Sequence, residues 1–148
     1  MKSNKPILLV EDNPSDVDLT KRALARGHVS NELVIAEDGQ EALDYLRGEG
    51  AYAGRAISET PSMILLDLRL PKVSGLEVLR AVRADARLRR IPVVILTSSK
   101  EEEDVGAGYD LGVNSYVRKP VDFKEFQTAI ANLGLYWLIL NEPNPPVK

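Results

Sequence analysis

The chain has no cysteine, one histidine and one tryptophan. Without cysteine it forms no disulfide, offers no thiolate to a metal and holds no thiol nucleophile. Such a chain suits a reducing compartment. The single histidine, His28, falls near the end of the first expected helix, where it reads as an exposed terminal residue and gives no sign of an internal relay. Basic excess is absent too: a net charge of −3 leaves no footprint for tracking nucleic-acid phosphates. Long hydrophobic runs are also missing. After Met1-Lys2-Ser3-Asn4-Lys5-Pro6 only four apolar residues precede Glu11 and Asp12, too few for a signal-peptide core. No other stretch reaches membrane-spanning length. The expectation is a cytoplasmic protein with neither membrane nor nucleic acid as partner.

What is present is enough for one domain and little more. The 148 residues, 44% hydrophobic and 28% charged, suit a single core of ordinary size. Short apolar runs recur five times, at residues 7–10, 33–36, 63–66, 93–96 and 113–117. Between them lie amphipathic segments with helix-start chemistry. Asn13 is placed to cap a helix, with Pro14 at its first position and Asp16 three residues after the cap. Capping boxes are expected at Asp38 and Glu41, Ser74 and Glu77, Ser99 and Glu102, and Asp122 and Glu125. Apolar spacing agrees, as in Leu76, Leu79 and Val82 or Phe126, Ile130 and Leu133, stripes that read as core packing.

Strand and helix therefore alternate five times. Strands buried on both faces and alternating with helices make a parallel sheet covered on both sides. Five units are too few for an eight-fold barrel, so an open, doubly wound α/β sheet with five helices is expected, and the 2-1-3-4-5 strand order fits that count. Residues 47–61 read as a long polar surface connection. Residues 133–140 are nearly all apolar, and residues 141–148 carry three prolines.

Ligands on such sheets bind beyond the carboxyl ends of the strands, near the switch point between the first and third. The residues just past those ends form a coherent set: Glu11 and Asp12, Asp67, Thr97 and Ser98, Lys119 and Pro120. Three carboxylates at neighbouring strand ends raise one another's pKa unless a cation intervenes. Oxygen ligands without cysteine or histidine point to Mg2+ or Mn2+. Asp67 would be metal ligand and nucleophile together, since carboxylates form aspartyl-phosphate intermediates. Lys119 would neutralise transferring phosphoryl oxygens, and Thr97 has a hydroxyl short enough to reach one. Taken singly, Glu11 and Asp12 also read as turn residues, and Lys119 and Thr97 as ordinary surface and strand-end residues. Asp67 inside Leu65-Leu66-Asp67-Leu68 is costly there unless it faces a polar site or a partner.

These residues resemble a response-regulator receiver domain, the phosphoacceptor half of two-component signalling, over roughly residues 5–135. The likeness is carried by Ile7-Leu8-Leu9-Val10-Glu11-Asp12-Asn13, Leu65-Leu66-Asp67-Leu68-Arg69-Leu70-Pro71, Gly75, Ile95-Leu96-Thr97-Ser98 and Ser115-Tyr116-Val117-Arg118-Lys119-Pro120. It implies the flavodoxin-like, CheY-like fold and a sensor histidine kinase that phosphorylates Asp67. It implies Mg2+ held by Asp12, Asp67 and the backbone carbonyl of Arg69, with Glu11 acting through water. Thr97 and Lys119 would contact the phosphoryl group, and Tyr116 would turn inward as Thr97 is drawn toward it. The Lys119–Pro120 peptide would be cis. Glu11 stands where the family usually has Asp, and Arg69 where it varies widely. Such a chain is a signalling protein and no enzyme beyond assisting its own phosphorylation and dephosphorylation.

The carboxyl end, Leu135-Tyr136-Trp137-Leu138 followed by Asn141 and prolines 143 to 146, resembles stand-alone receivers paired with bacterial phytochromes. That likeness implies a phytochrome-type photoreceptor as the sensor, no output domain, and a homodimer through the fourth and fifth helices and the tail. The expected division is a receiver over residues 1–135 and a dimerisation extension over residues 136–148 including Tyr136 and Trp137. Residues 135–140, apolar on all sides, would expose an interface patch, or else fold back over their own core. Three other functions remain to be separated. A flavin or nucleotide carrier would use a Gly-rich or hydroxyl-rich phosphate loop where this chain has Glu11 and Asp12. A phosphatase with an aspartyl intermediate would use an Asp-x-Asp motif, absent after the first and third strands. A non-phosphorylated receiver-like interaction module would take up no phosphoryl group.

Overall fold

The apolar runs pair as five parallel strands: β1 (Ile7–Val10), β2 (Leu33–Ala36), β3 (Met63–Asp67), β4 (Val93–Thr97) and β5 (Ser115–Arg118). They form one sheet in the order β2-β1-β3-β4-β5. The computed structural model describes residues 5–55, 60–98 and 115–133, apart from the side chains of Thr97 and Leu133. Within that range the helices are α1 (Pro14–Arg26), α2 (Gly39–Arg47), α3 (Gly75–Ala84) and α4 (Phe123–Leu133). The helix expected from Ser99 and Glu102, the start of the fifth apolar run at Val113, and the tail with Tyr136 and Trp137 lie outside the described residues.

Period-two alternation divides the core between the two faces of the sheet. Leu8, Val10, Ile64, Leu66, Val93 and Ile95 pack with α2 and α3. Ile7, Leu9, Met63, Leu65, Val94 and Leu96 pack with α1 and α4. Each such side chain, once fully buried, contributes about 1.5–3 kcal/mol relative to exposure. The expectation of burial on both faces holds for β1 and β3, and for β4 from Val93 to Leu96. It fails at the sheet edges. In β2 Leu33, Val34 and Ile35 are only half-buried, and in β5 Tyr116 and Arg118 are exposed around buried Val117. An edge strand has a neighbour on one side only, so its side chains are less covered.

Helix starts follow the capping chemistry with two differences. Asn13 Oδ1 accepts from the N–H of Ser15 at 2.9 Å and of Asp16 at 3.1 Å, and Ser74 with Glu77 forms the full reciprocal box. Asp38 accepts from Glu41 N–H at 2.7 Å, but Glu41 turns elsewhere, to Glu37 N–H at 2.9 Å and the Tyr52 hydroxyl at 2.8 Å. Likewise Glu125 accepts from Arg118 N–H at 2.8 Å rather than closing a box with Asp122. Glu41 is thus taken by the neighbouring Glu37 N–H and by Tyr52, and Glu125 by a donor on β5.

The connection over residues 47–61, expected as a long polar surface loop, is tied down where it is described. A short 3-10 turn (Gly50–Tyr52) sets the Tyr52 ring edge-on to Tyr45 at 5.1 Å. Arg55 lies 4.3 Å over the Tyr45 ring and donates to the carbonyls of Tyr45 at 2.8 Å and Leu46 at 3.2 Å. These are among the carbonyls that a helix C-terminus leaves without partners.

Candidate metal centre

The same alternation aims the site. Continuing β1 from Ile7 and Leu9 puts Glu11 on the α1–α4 face, and continuing β3 from Met63 and Leu65 puts Asp67 there as well. Val10 pairs with Leu66, so the two acids stand side by side at the carboxyl end of the sheet. Asp67 is the last residue of β3 and Thr97 of β4, each one residue beyond the apolar pattern. Ladder hydrogen bonds depend on backbone alone, and the register continues through Asp67↔Leu96 and Thr97↔Arg118.

Glu11 and Asp67 are buried, at 1% and 2% exposure, and Asp12 beside them is exposed. One carboxylate oxygen from each of Glu11, Asp12 and Asp67 lies within 4.8 Å of the others. Lys119 reaches into this group from the end of β5. Its Nζ stands 3.0 Å from Glu11 Oε1, 3.1 Å from Asp16 Oδ2 and 3.3 Å from Asp67 Oδ2. The contact to Glu11 Oε1 is ionic but out of hydrogen-bond alignment, and that oxygen meets no hydrogen-bond donor among the described residues. Glu11 Oε2 accepts from Asn13 N–H at 3.3 Å, and Asp67 Oδ1 from Arg69 N–H at 3.4 Å.

Burial, then the charge of Asp67, pushes the Glu11 carboxyl up to about 7, against the pull of Lys119. Burial works to lower the Lys119 pKa, but Glu11, Asp67 and Asp16 together outweigh it and hold the ammonium above its ordinary value. One half-buried ammonium thus serves an excess of carboxylate, and one buried carboxylate oxygen meets that ammonium only as an ion pair, out of hydrogen-bond alignment. A hard divalent cation fits that deficit, and Mg2+ typically takes one or two carboxylates and keeps water on its remaining positions. Asp12 would give it access from solvent. Beside the cluster opens a hollow of about 580 Å3 lined by Glu11, Asp12, Glu37 and Glu41 among others.

Of the residues singled out in the sequence, Glu11, Asp12, Asp67 and Lys119 come together. Thr97 closes β4 next to β3 and β5, and its side chain lies outside the described set. Arg69 is exposed two residues beyond Asp67, and Tyr116 on β5 is 38% exposed. The Lys119–Pro120 peptide is cis. Asp16 was singled out only as a first-turn acid of α1. Its position carried a further signal: four residues before Thr20 and seven before Ala23, it continues the helix's buried stripe toward the sheet.

Gly75 sets how closely α3 approaches the acid. A Cβ there would stand 2.2 Å from the Asp67 carbonyl oxygen and 2.6 Å from Leu68 Cα, and the Gly75 N–H donates to Leu68 O at 3.0 Å. Gly75→Ala is expected to cost about 1–3 kcal/mol by overpacking, read as a lower urea midpoint. An unchanged midpoint would show that the backbone carrying Asp67 yields freely.

Comparison with known proteins agrees with this geometry. The family model for the response regulator receiver domain matches residues 7–131. The chain is 44% identical to the probable methanogenesis regulatory protein FilR2 of Methanothrix harundinacea, over 95% of this chain and 88% of that one. It is 41% identical to response regulator Rcp1 of Synechocystis sp., over 93% and 92%. Among solved structures, bacteriophytochrome response regulator RtBRR superposes with a TM-score of 0.84 at 57% identity, covering 98% of this chain and 86% of that one. The Mn2+-bound form of Rcp1 superposes with a TM-score of 0.73 at 38% identity, covering 97% and 99%.

Proposed function

This chain belongs to the response regulator receiver domain family, the phosphoacceptors of two-component signalling, and from that premise we propose that Asp67 is the residue that takes the phosphoryl group. The observation that carries the assignment is the buried Asp67 carboxylate at a strand end, 3.3 Å from the Lys119 ammonium and grouped with Glu11 and Asp12. Family membership implies a histidine kinase as donor. In the transfer an Asp67 oxygen forms a bond to phosphorus as the bond from phosphorus to the kinase's imidazole nitrogen breaks, and the imidazole keeps the electron pair. Lys119 neutralises the oxygens of the moving group, and Thr97 meets one of them once it has arrived. Mg2+, or Mn2+ in its place, would supply positive charge to offset that of the transferring phosphoryl oxygens. Asp12, Asp67 and the Arg69 carbonyl would hold it, with Glu11 acting through water.

The product adds negative charge and strong acceptor oxygens to the end of β3. Drawing Thr97 toward them leaves room for Tyr116, exposed in this structure, to turn inward and change the face that partners read. A switch from 1:99 to 99:1 needs about 5.5 kcal/mol, and several charge-assisted contacts of about 1.5–3 kcal/mol each supply it. The chain acts in the cytoplasm as a phosphoacceptor rather than as a turnover enzyme. No helix among its described residues is long and apolar enough to cross a membrane. The sensor is of the phytochrome type, a reading supported by the likeness to RtBRR. Phosphotransfer from a phosphorylated phytochrome kinase tests this. The label is expected to move to this chain within minutes and not to Asp67→Asn. Label moving equally to both chains would refute the assignment.

The tail beyond residue 135, with Tyr136 and Trp137, serves as a dimerisation extension working with the face shared by the expected fourth helix and α4, the expected fifth. The full chain is expected to elute as a dimer, and the chain without residues 136–148 as a monomer. A monomeric full chain at high concentration overturns this.

A further inference from the structure

Lys119 carries three protons, and three carboxylates stand around it. Two of them, Glu11 and Asp67, belong to the acid cluster. The third, Asp16, belongs to α1 and accepts from Lys119 Nζ at 3.1 Å across 103 residues of sequence. The Lys119 side chain is 16% exposed and that of Asp16 28%, so this pair is screened only in part. Asp16 is also held in place, because the Asn13 cap fixes its backbone N–H at 3.1 Å.

We infer that Asp16 is a positioning residue that competes with the phosphoryl group for Lys119 and so weakens the phosphorylated state. The inference rests on the reading of Asp67 and Lys119 given above. A carboxylate on the α1 side retains an ammonium that the phosphoryl oxygens on Asp67 would otherwise draw to themselves. Asp16→Asn keeps the size and the capped helix start while removing the charge, which leaves Lys119 to Glu11 and the arriving group.

The test is equilibrium binding of beryllofluoride, an analogue of the phosphoryl group, at saturating Mg2+. Asp16→Asn is expected to bind it roughly three- to ten-fold more tightly than the native sequence, the range of a charge-assisted contact weakened by partial exposure. Asp16→Glu is expected to return the affinity toward the native value. In a Lys119→Ala background Asp16→Asn is expected to change nothing, since coupled residues are non-additive. An unchanged or weaker affinity in Asp16→Asn overturns the inference, and so does the same gain without Lys119, which would make the effect long-range charge. A native chain that takes up no beryllofluoride, or an Asp67→Asn variant that does, overturns the reading of the site itself and the inference with it.

Discussion

Asp67→Asn is expected to take up no phosphoryl group and, in metal-free buffer at neutral pH, to be more stable than the native sequence. The loss of uptake follows because an amide is no nucleophile toward phosphorus. The gain in stability follows from the balance around Lys119. Asp67 is buried beside Glu11, and its charge is the second cause, after burial, of the raised Glu11 pKa. Removing it costs Lys119 one ion pair at 3.3 Å but leaves those to Glu11 at 3.0 Å and Asp16 at 3.1 Å. Easing that crowding of like charge beside Glu11 is expected to contribute on the order of 1 kcal/mol.

The pH dependence carries the same sign. A carboxyl raised from 4.5 to about 7 on folding binds its proton more tightly in the folded chain. Metal-free stability from this group is therefore fully present below 4.5 and is lost as pH rises through about 7. The fall should be shallower in Asp67→Asn. Denaturant titrations at several pH values with chelator check both statements, and a variant less stable than the native chain at pH 7 contradicts them.

Lys119→Met is expected to act in the opposite direction and to depend strongly on metal. Methionine keeps most of the stem volume and removes the ammonium that pairs with Glu11 and Asp67. Breaking a buried pair by deleting one partner costs about 3–5 kcal/mol, and protonation of Glu11 brings the expected loss to the lower end, about 3 kcal/mol. Mg2+ takes over the role of the ammonium. Mg2+ stabilises both chains. With no ammonium competing for the same oxygens, the variant should bind Mg2+ more tightly than the native chain. The two unfolding curves are thus expected to lie furthest apart with chelator and to draw together with Mg2+ by about 1.4 kcal/mol for each ten-fold of tighter binding. Equal stability in metal-free buffer would mean that Lys119 does not hold the acids together.

The sheet was legible because its central strands are continuous apolar runs, and a parallel sheet buried on both faces requires them. The acids were legible for the converse reason: Asp67 is costly where it stands unless something polar faces it. What escaped the sequence is what tertiary partners decide. Glu41 and Glu125 have the spacing of capping boxes, yet the Tyr52 hydroxyl and the Arg118 N–H claim them. Arg55 gives no local sign that it will stack on Tyr45 and cap α2. Asp16 reads as a helix-start acid until Lys119, over a hundred residues away in sequence, is folded onto it. Strand ends ran one residue long at Asp67 and Thr97, because polarity marks where the core stops and the backbone ladder does not.

The most direct measurement is intact-mass analysis with a small phosphodonor and Mg2+, followed by peptide mapping of the modified chain. One phosphoryl group is expected, on the peptide carrying Asp67, and none when chelator replaces Mg2+. A modified chain whose added mass maps to another residue, or no modification with the metal present, would contradict the account.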